Sequence, residues 1–450
     1  MMKPLNVLTP TGCLGYGFDQ NDFERCLNLG CDVIAVDAGS TDPGPYYLGA
    51  GISYVPRIAI KRELEILVSA AVSKRIPLIV GSSGGSGGNP HLEWTVDIVE
   101  QIAREQKCHF RMATIKGEIE KSVIKEELRR NNIKDFEAGY DLGIKDVEDS
   151  VRIVAQMGPE PIIAALQKGA QIIIAGRSCD DGVIAAYPIW KGFDPGLSIH
   201  MGKVLECGAL AAVPIGMDVM MGTIYDDYFV LEPGSLERKC TVTSVTGHSL
   251  YERDNPFTQP GPGGYLDTKD CRIEQLDERR VKVSKSRFVT SKEYHIKLEG
   301  VKRAGYRTIS IAGIRCPTMI ERIDPILDVV RKKVQDYFSG MGDYYLGYHL
   351  YGKDGVMGAL EVQKKIISHE LGMVVEVIAA TQELANAICH ITTGTILHQS
   401  YDGQKNNAGN LAFLYSPSEI DVGEVFLFSV YHLLKVKDPC SFFPIELKEV

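Results

Sequence analysis

The chain has 450 residues, 44% of them hydrophobic and 24% charged, the balance of an ordinary folded protein with two or three domains. Its net charge of -9 is spread along the chain and offers no basic face for nucleic acid. The eleven cysteines lack CxxC pairs and even spacing, so they suggest neither a zinc knuckle nor a disulfide framework.

Met1-Met2-Lys3-Pro4 leads directly into residues 5–8, a strand-like run without the apolar core of a signal peptide. Nowhere does an apolar stretch reach the roughly 18 residues of a membrane span. A cytoplasmic location with reduced thiols is therefore expected. Strand-like runs at residues 33–36, 76–80 and 171–175 alternate with amphipathic stretches at 57–74, 90–106, 121–131 and 161–168. That alternation predicts βαβ units in a doubly wound, mostly parallel sheet. From residue 215 the texture changes. Two-residue alternation at 271–275 and 281–284 brackets Asp277-Glu278-Arg279-Arg280 as a hairpin turn. Residues 293–298 and 306–314 read as two further strands, and residues 255–264 as a Pro/Gly-rich loop. A helix at 319–338, strands at 344–351 and 373–379, a helix at 382–397 and strands at 410–414 and 425–431 follow. These elements fit a small α+β, ferredoxin-like domain. The expected organisation is an α/β ligand-binding domain over 1–214, a β-rich insertion over 215–340 and the ferredoxin-like domain over 341–450.

In the first half, each apolar run breaks abruptly into glycine and small polar residues. In a parallel sheet such strand ends share one edge, where ligands bind. The richest loop is Gly81-Ser82-Ser83-Gly84-Gly85-Ser86-Gly87-Gly88-Asn89-Pro90. Asn89 is placed to cap a helix with Pro90 in its first turn, and the free N–H groups there attract a phosphate, carboxylate or thioester oxygen. No Gly-Lys-Ser/Thr follows, so this is not a Walker motif. Gly12, Gly15 and Gly17 imitate a dinucleotide loop in reversed spacing. Asp37 is followed by Ser40, Thr41 and Asp42, and Asp37 and Asp42 read better as polar groups toward a substrate or metal than as a nicotinamide site.

After the strand at 171–175 come Arg177, Asp180 and Asp181. Arginine offers a fork for a carboxylate or phosphate. The two acids serve acid–base work, a hard cation, or a helix cap. Residues 198–212 read as a helix. At 100° per residue His200, Lys203 and Cys207 fall within a stripe of about 60°, with Glu206 about 100° further round. They could supply a base, an anion clamp and a nucleophile. His200 and Cys207 alone leave a zinc ion two ligands short. Lys297 and Arg307 read as structural unless the β region closes over the glycine edge.

Residues 169–182, Gly202-Lys203-Val204-Leu205-Glu206-Cys207-Gly208, Leu250-Tyr251-Glu252 with Asp254 and Pro256, and Ala408-Gly409-Asn410-Leu411-Ala412-Phe413 with Ser416-Pro417 together resemble the acyclic terpene utilisation (AtuA-like) family. Lys203 stands where a histidine is frequent, and residues 40–44 are particular to a subgroup. The resemblance implies an α/β body followed by a ferredoxin-like tail, and acyl-coenzyme A intermediates of branched terpene breakdown.

The expectation is an enzyme of lyase type, a hydratase or carbon–carbon lyase, acting on a small branched carboxylate or acyl thioester. His200, Glu206, Asp180 and Cys207 are its candidate catalytic groups. Asp37, Ser40, Thr41, Asp42, Ser82, Ser83, Gly84, Gly85, Arg177, Asp181 and Lys203 are its candidate binding groups. No metal or cofactor is expected. The partners expected are a small-molecule substrate and further copies of the chain or a partner subunit, not nucleic acid or a membrane. The alternatives are a non-catalytic subunit that binds an acyl ligand or a partner enzyme, and a phosphate-binding hydrolase.

Overall fold

The computed structural model describes residues 2–405 and 407–450. The chain forms two compact units, Met1–Lys302 with Phe428–Val450, and Arg303–Leu427. Among the described residues no helix is long and apolar enough to cross a membrane.

At the centre of the first unit lie five parallel strands, in the order Leu5–Thr9, Val33–Asp37, Leu78–Gly81, Ile172–Ala175 and Arg111–Ile115. Every residue of Val33–Asp37, Leu78–Gly81 and Ile172–Ala175 is buried, as β-branched runs covered on both faces must be. Successive side chains divide between two cores. Val33, Ala35, Ile79 and Ile173 join one with Val183, Leu197 and Met201. Ile34, Val36, Leu78 and Val80 join the other with Leu64, Leu67, Ile98 and Ile102. Each such side chain contributes roughly 1.5–3 kcal/mol through burial.

The whole sheet has ten strands and is mixed, not mostly parallel. Met220–Ile224, Tyr228–Pro233, Val281–Ser284 and Arg272–Gln275 extend one side antiparallel, and Ile445–Glu449 closes the other. The reason lies in the connections. Three residues separate Met220–Ile224 from Tyr228–Pro233, too few for a parallel crossover. The hairpin of Arg272–Gln275 and Val281–Ser284 forms as the alternation predicts, with Asp277 accepting from the backbone N–H groups of Arg279 and Arg280. Much of the segment expected as a separate β-rich insertion is thus continuous with the main sheet.

The strands expected at 293–298 and 306–314 are one strand, Tyr294–Ile314. Gly300 is not a turn there. A Cβ at that position would lie 2.7 Å from the Val430 side chain, so the residue records close packing. The unit boundary falls inside this strand, between Lys302 and Arg303, where no linker composition marks it. This two-unit division differs from the break expected at 340/341.

The second unit runs strand, helix Ile323–Tyr337, strand Tyr344–Tyr351, strand Leu371–Ala379, helix Gln382–His398, strand. Its sheet order is Tyr344–Tyr351, Leu371–Ala379, Tyr294–Ile314, Ile420–Val436. Ile326, Leu327 and Val330 from one helix and Ile388 and Ile396 from the other pack on Met373, Val375 and Val377.

Candidate functional site

The loops that leave the parallel strands are laced together at one edge of the first unit. Leu14 N–H donates to Asp37 O at 3.0 Å, Ala38 N–H to Gly81 O at 3.0 Å, and Arg177 N–H to Gly87 O at 3.1 Å. Ser82 and Ser83 N–H groups donate to Gly176 O and Ala175 O, both at 3.0 Å. Residues 81–88 are all buried, so the glycine loop is packed, not slack. Two glycines permit this. Gly39 (φ +136°) leaves no space for a Cβ, which would sit 2.0 Å from Tyr54 Oη. Gly87 (φ +67°) would bring one to 2.2 Å from Arg177 N. Left-handed backbone and close approach both demand glycine.

Two carboxyls face one another electrostatically at this edge. Asp37, 7% exposed, accepts from Gly39 N–H at 3.0 Å through Oδ2. Its Oδ1 has no partner among the described residues. Burial pushes Asp37 well above the usual carboxylate range, Asp180 adds to this, and Arg177 opposes it. Burial likewise raises Asp180, against Arg177, Lys203 and Lys297. A third of the Asp180 side chain meets solvent. That exposed face makes Asp180 the solvent-open edge of the group, called the cleft below. Asp180 is the first residue of the helix Asp180–Trp190, whose capping position is Cys179, so capping is not its role.

Arg177, expected to clamp a ligand, spends its Nε and Nη1 on the chain itself. Nε donates to Glu299 Oε2 at 2.7 Å. Nη1 donates to Ser178 O at 3.0 Å, to Ser82 Oγ at 3.2 Å and to Asp180 Oδ1 at 3.4 Å. Glu299, 1% exposed, also accepts from Thr41 Oγ1 at 3.0 Å and pairs with Lys297 at 2.9 Å. Burial alone would raise Glu299, but Arg177 and Lys297 win and hold it down to about 2. Glu299 escapes sequence reading because it lies 122 residues from Arg177. Its one signal is an acid between Leu298 and Gly300 within a strand-like stretch. Lys297, read as structural, does reach the glycine edge.

The helical stripe divides. His200 is fully buried, with Nδ1 2.6 Å from Ser286 Oγ and Nε2 3.2 Å from Ser249 Oγ. Its ring meets Phe229 edge-on at 5.5 Å. Burial, with Arg253 and His248 adding, pushes it down to about 3. A neutral ring with both nitrogens engaged is a packing element, not a base. Lys203 Nζ donates to Glu206 Oε1 at 2.5 Å and Glu252 Oε2 at 3.1 Å. Burial drives Glu206 well up, with Lys203 opposing and Asp180 and Asp181 adding. This pair therefore belongs to the same neighbourhood as the cleft acids. Cys207 lies beyond the helix end at Leu205. Burial and then Glu206 raise its thiol, which leaves little thiolate for a nucleophile.

The remaining candidates scatter. Asp181 is buried and accepts from Cys179 Sγ at 3.0 Å. Ser40 and Asp42 bond one another at 2.7 Å on the surface, away from the buried Thr41–Glu299 contact. Ser83 and Ser86 in the glycine loop, and Thr9 at the first strand end, carry buried hydroxyls without a partner among the described residues. Gly84 packs on His91 and Gly85 on Tyr54, whose atoms would lie 2.7 and 2.4 Å from a Cβ. Cys13, not expected, lies 3.2 Å from Tyr54 Oη. Burial, with Asp37 adding, pushes its thiol up to about 12.

The helix Asn89–Gln106 is capped by Gly88, not Asn89. Asn89 N–H donates to Glu118 Oε2 at 2.8 Å, and Glu118 pairs with Arg152 at 3.2 Å. The chain's own carboxylate thus fills the seat expected for a ligand anion. Among the described residues no group of three or more His, Cys, Asp and Glu side chains could hold a metal ion.

Comparison with known families gives one match. A family model described as acyclic terpene utilisation family protein AtuA covers residues 53–219 and 229–414. Arg177, Asp180, Lys203, Glu206 and Glu299 lie within these stretches, and Asp37 and Cys13 precede them. No curated protein and no solved structure matches the chain.

Proposed function

This chain belongs to the acyclic terpene utilisation family, and from that premise we propose that it is an enzyme of hydratase or lyase type. Its substrate is a small branched carboxylate or acyl thioester, and it moves protons next to the carbonyl. The observation that carries this reading is the Asp37–Asp180 pair at the parallel strand ends. Two acids with raised affinity for protons suit general acid and base roles near neutral pH.

In the addition direction Asp180, which solvent reaches, takes a proton from water as its oxygen bonds to the β-carbon of an enoyl group. The C=C electron pair then bonds the α-carbon to the proton of Asp37. One proton passing from Asp180 to Asp37 restores the starting state. Elimination is the reverse. Arg177, held by Glu299, supports this by fixing Asp180. The unpartnered hydroxyls of Ser83 and Ser86 are donors without a protein acceptor in the same loop. The hydrolase alternative has less support, because Glu118 accepts the Asn89 N–H at the helix start that a phosphate would need.

The test follows deuterium uptake at the α-carbon of branched enoic acids and their thioesters in D₂O by NMR. Asp37→Asn and Asp180→Asn are each expected to slow uptake by about 10²–10⁴-fold, and His200→Asn to leave it within a few-fold. No uptake with any such compound, alongside saturable binding of one, replaces the reaction with the ligand-binding subunit.

A further inference from the structure

Beside the cleft, on the side of Lys203, two basic side chains carry nitrogens with no protein partner. Arg253 anchors its Nη1 on Thr268 Oγ1 at 3.1 Å. Its Nε and Nη2 are buried and have no hydrogen-bond partner among the described residues. These two N–H groups lie on the same side of a guanidinium and form the fork that takes two oxygens of one carboxylate or phosphate. Arg253 also forms no ion pair among the described residues.

His248, 8% exposed, stands five residues earlier at the end of the helix Val242–Ser249. Its ring stacks on Tyr251 with centroids 5.8 Å apart. Its Nε2 is likewise buried and unpartnered. Burial, the Lys203 charge and Arg253 lower His248, while a hydrogen bond to the Lys203 backbone and the Glu252 charge oppose them, and Arg253 acts on Asp181. Lys203 bonds Glu252, the residue before Arg253, and His248 stacks on Tyr251, the residue before Glu252, so both unpartnered groups and Lys203 share one neighbourhood. Neither nearby acid bonds these groups. Glu252 is half-exposed and bonds Lys203, while Asp181 bonds Cys179 and is raised mainly by burial. Buried donors that the protein leaves unpaired are completed by water, an ion or a ligand.

We propose that Arg253 and His248, with Lys203 beside them, form an anion subsite that holds a carboxylate or phosphate group of the ligand. The proposal rests on the reading of the adjoining cleft as the reaction site, and deepens it. The substrate then carries an anionic group apart from its reacting carbon: a second carboxylate, or the phosphate of a thioester carrier.

Isothermal titration of the full chain with glutarate and with inorganic phosphate tests this without turnover. One equivalent of at least one anion is expected to bind, more weakly as salt rises. Saturation by glutarate alone assigns a substrate carboxylate, by phosphate alone a carrier phosphate, and by both a site open to either. Arg253→Gln and His248→Gln should each weaken binding at least about tenfold, the loss of a charge-assisted bond. Arg253→Lys, which keeps the charge but loses the fork, should fall between. Thr268→Val, which frees the fork from its anchor, should weaken binding less than Arg253→Gln and serves if that variant fails to fold. Binding of neither anion, or wild-type affinity in these variants, overturns the subsite. Anion binding through Arg253 without any α-carbon exchange overturns the reaction instead, so the two failures are distinct.

Discussion

Glu299 is a single carboxylate that accepts from Arg177 and Thr41 and pairs with Lys297, all at 3.0 Å or less. Removing its charge leaves the buried Arg177 cation with the longer contact to Asp180 as its remaining ion pair, so Glu299→Gln is expected to cost about 3–5 kcal/mol of stability. The pH dependence has a definite sign. Glu299 sits at about 2 in the folded chain against an ordinary 4.5, so its contribution is complete above pH 4.5. It is lost as pH falls from there through about 2. Urea denaturation of wild type and Glu299→Gln should therefore differ most above pH 5 and converge toward pH 2. An unchanged difference across that range would mean that the carboxylate is not the stabilising group. The same residue marks a limit of reading sequence. Asp37, Arg177 and Asp180 could be found as polar residues following short apolar runs. Glu299, Thr41 and Lys297 meet them only through tertiary contact. His200 misled in the opposite way: helical spacing places it on a stripe with Lys203, but Ser249, Ser286 and Phe229 enclose it.

The glycine loop shows what an element can and cannot reveal before it is folded. Its place at the end of a parallel strand followed from the apolar run at 76–80. Its state did not, because glycine-rich composition describes a floppy tether as well as a tightly packed turn. Burial of residues 81–88 decides for the packed turn, with Tyr54, His91 and the Arg177 backbone pressed against it. Substitution here should therefore damage stability and not ligand access alone. Gly87→Ala combines a left-handed φ of +67° with a Cβ 2.2 Å from Arg177 N. A backbone atom cannot step aside as a side-chain tip can, so a loss of roughly 2–5 kcal/mol is expected from strain and overpacking. Gly17→Ala is the comparison: φ is +91° but nothing lies within 4 Å of its Cβ, so only the backbone penalty of about 1–3 kcal/mol remains. Equal denaturation midpoints for the two variants would show that the loop is looser than its packing implies. The sheet was misjudged for a related reason. β-branched runs are legible as strands, but their direction is set by connection length, and the hairpin-linked strands after residue 219 had to run antiparallel.

At the scale of the molecule, every residue assigned to the cleft, and to the anion subsite beside it, lies in the unit formed by Met1–Lys302 and Phe428–Val450. The second unit has its own core, in which Ile388 is fully buried beside Val375 and Val377. The sequence showed that a distinct strand–helix texture exists there but not where it begins, because the boundary falls within one continuous strand. A substitution in that core separates the two roles. Ile388→Ala removes buried carbon and leaves a cavity, at a cost of about 2–5 kcal/mol. Hydrogen exchange should then quicken at the amides of Leu371–Ala379 and Gln382–His398, which share the cavity. The amides of Leu78–Gly81 and Ile172–Ala175 should keep their protection, because compact units open separately when their cores are separate. α-Carbon exchange and anion binding should stay within a few-fold of wild type for the same reason. Equal acceleration in both sets of amides would show that the chain opens as one cooperative body. Loss of anion binding with protection of the first unit intact would mean that the second unit contributes to the site.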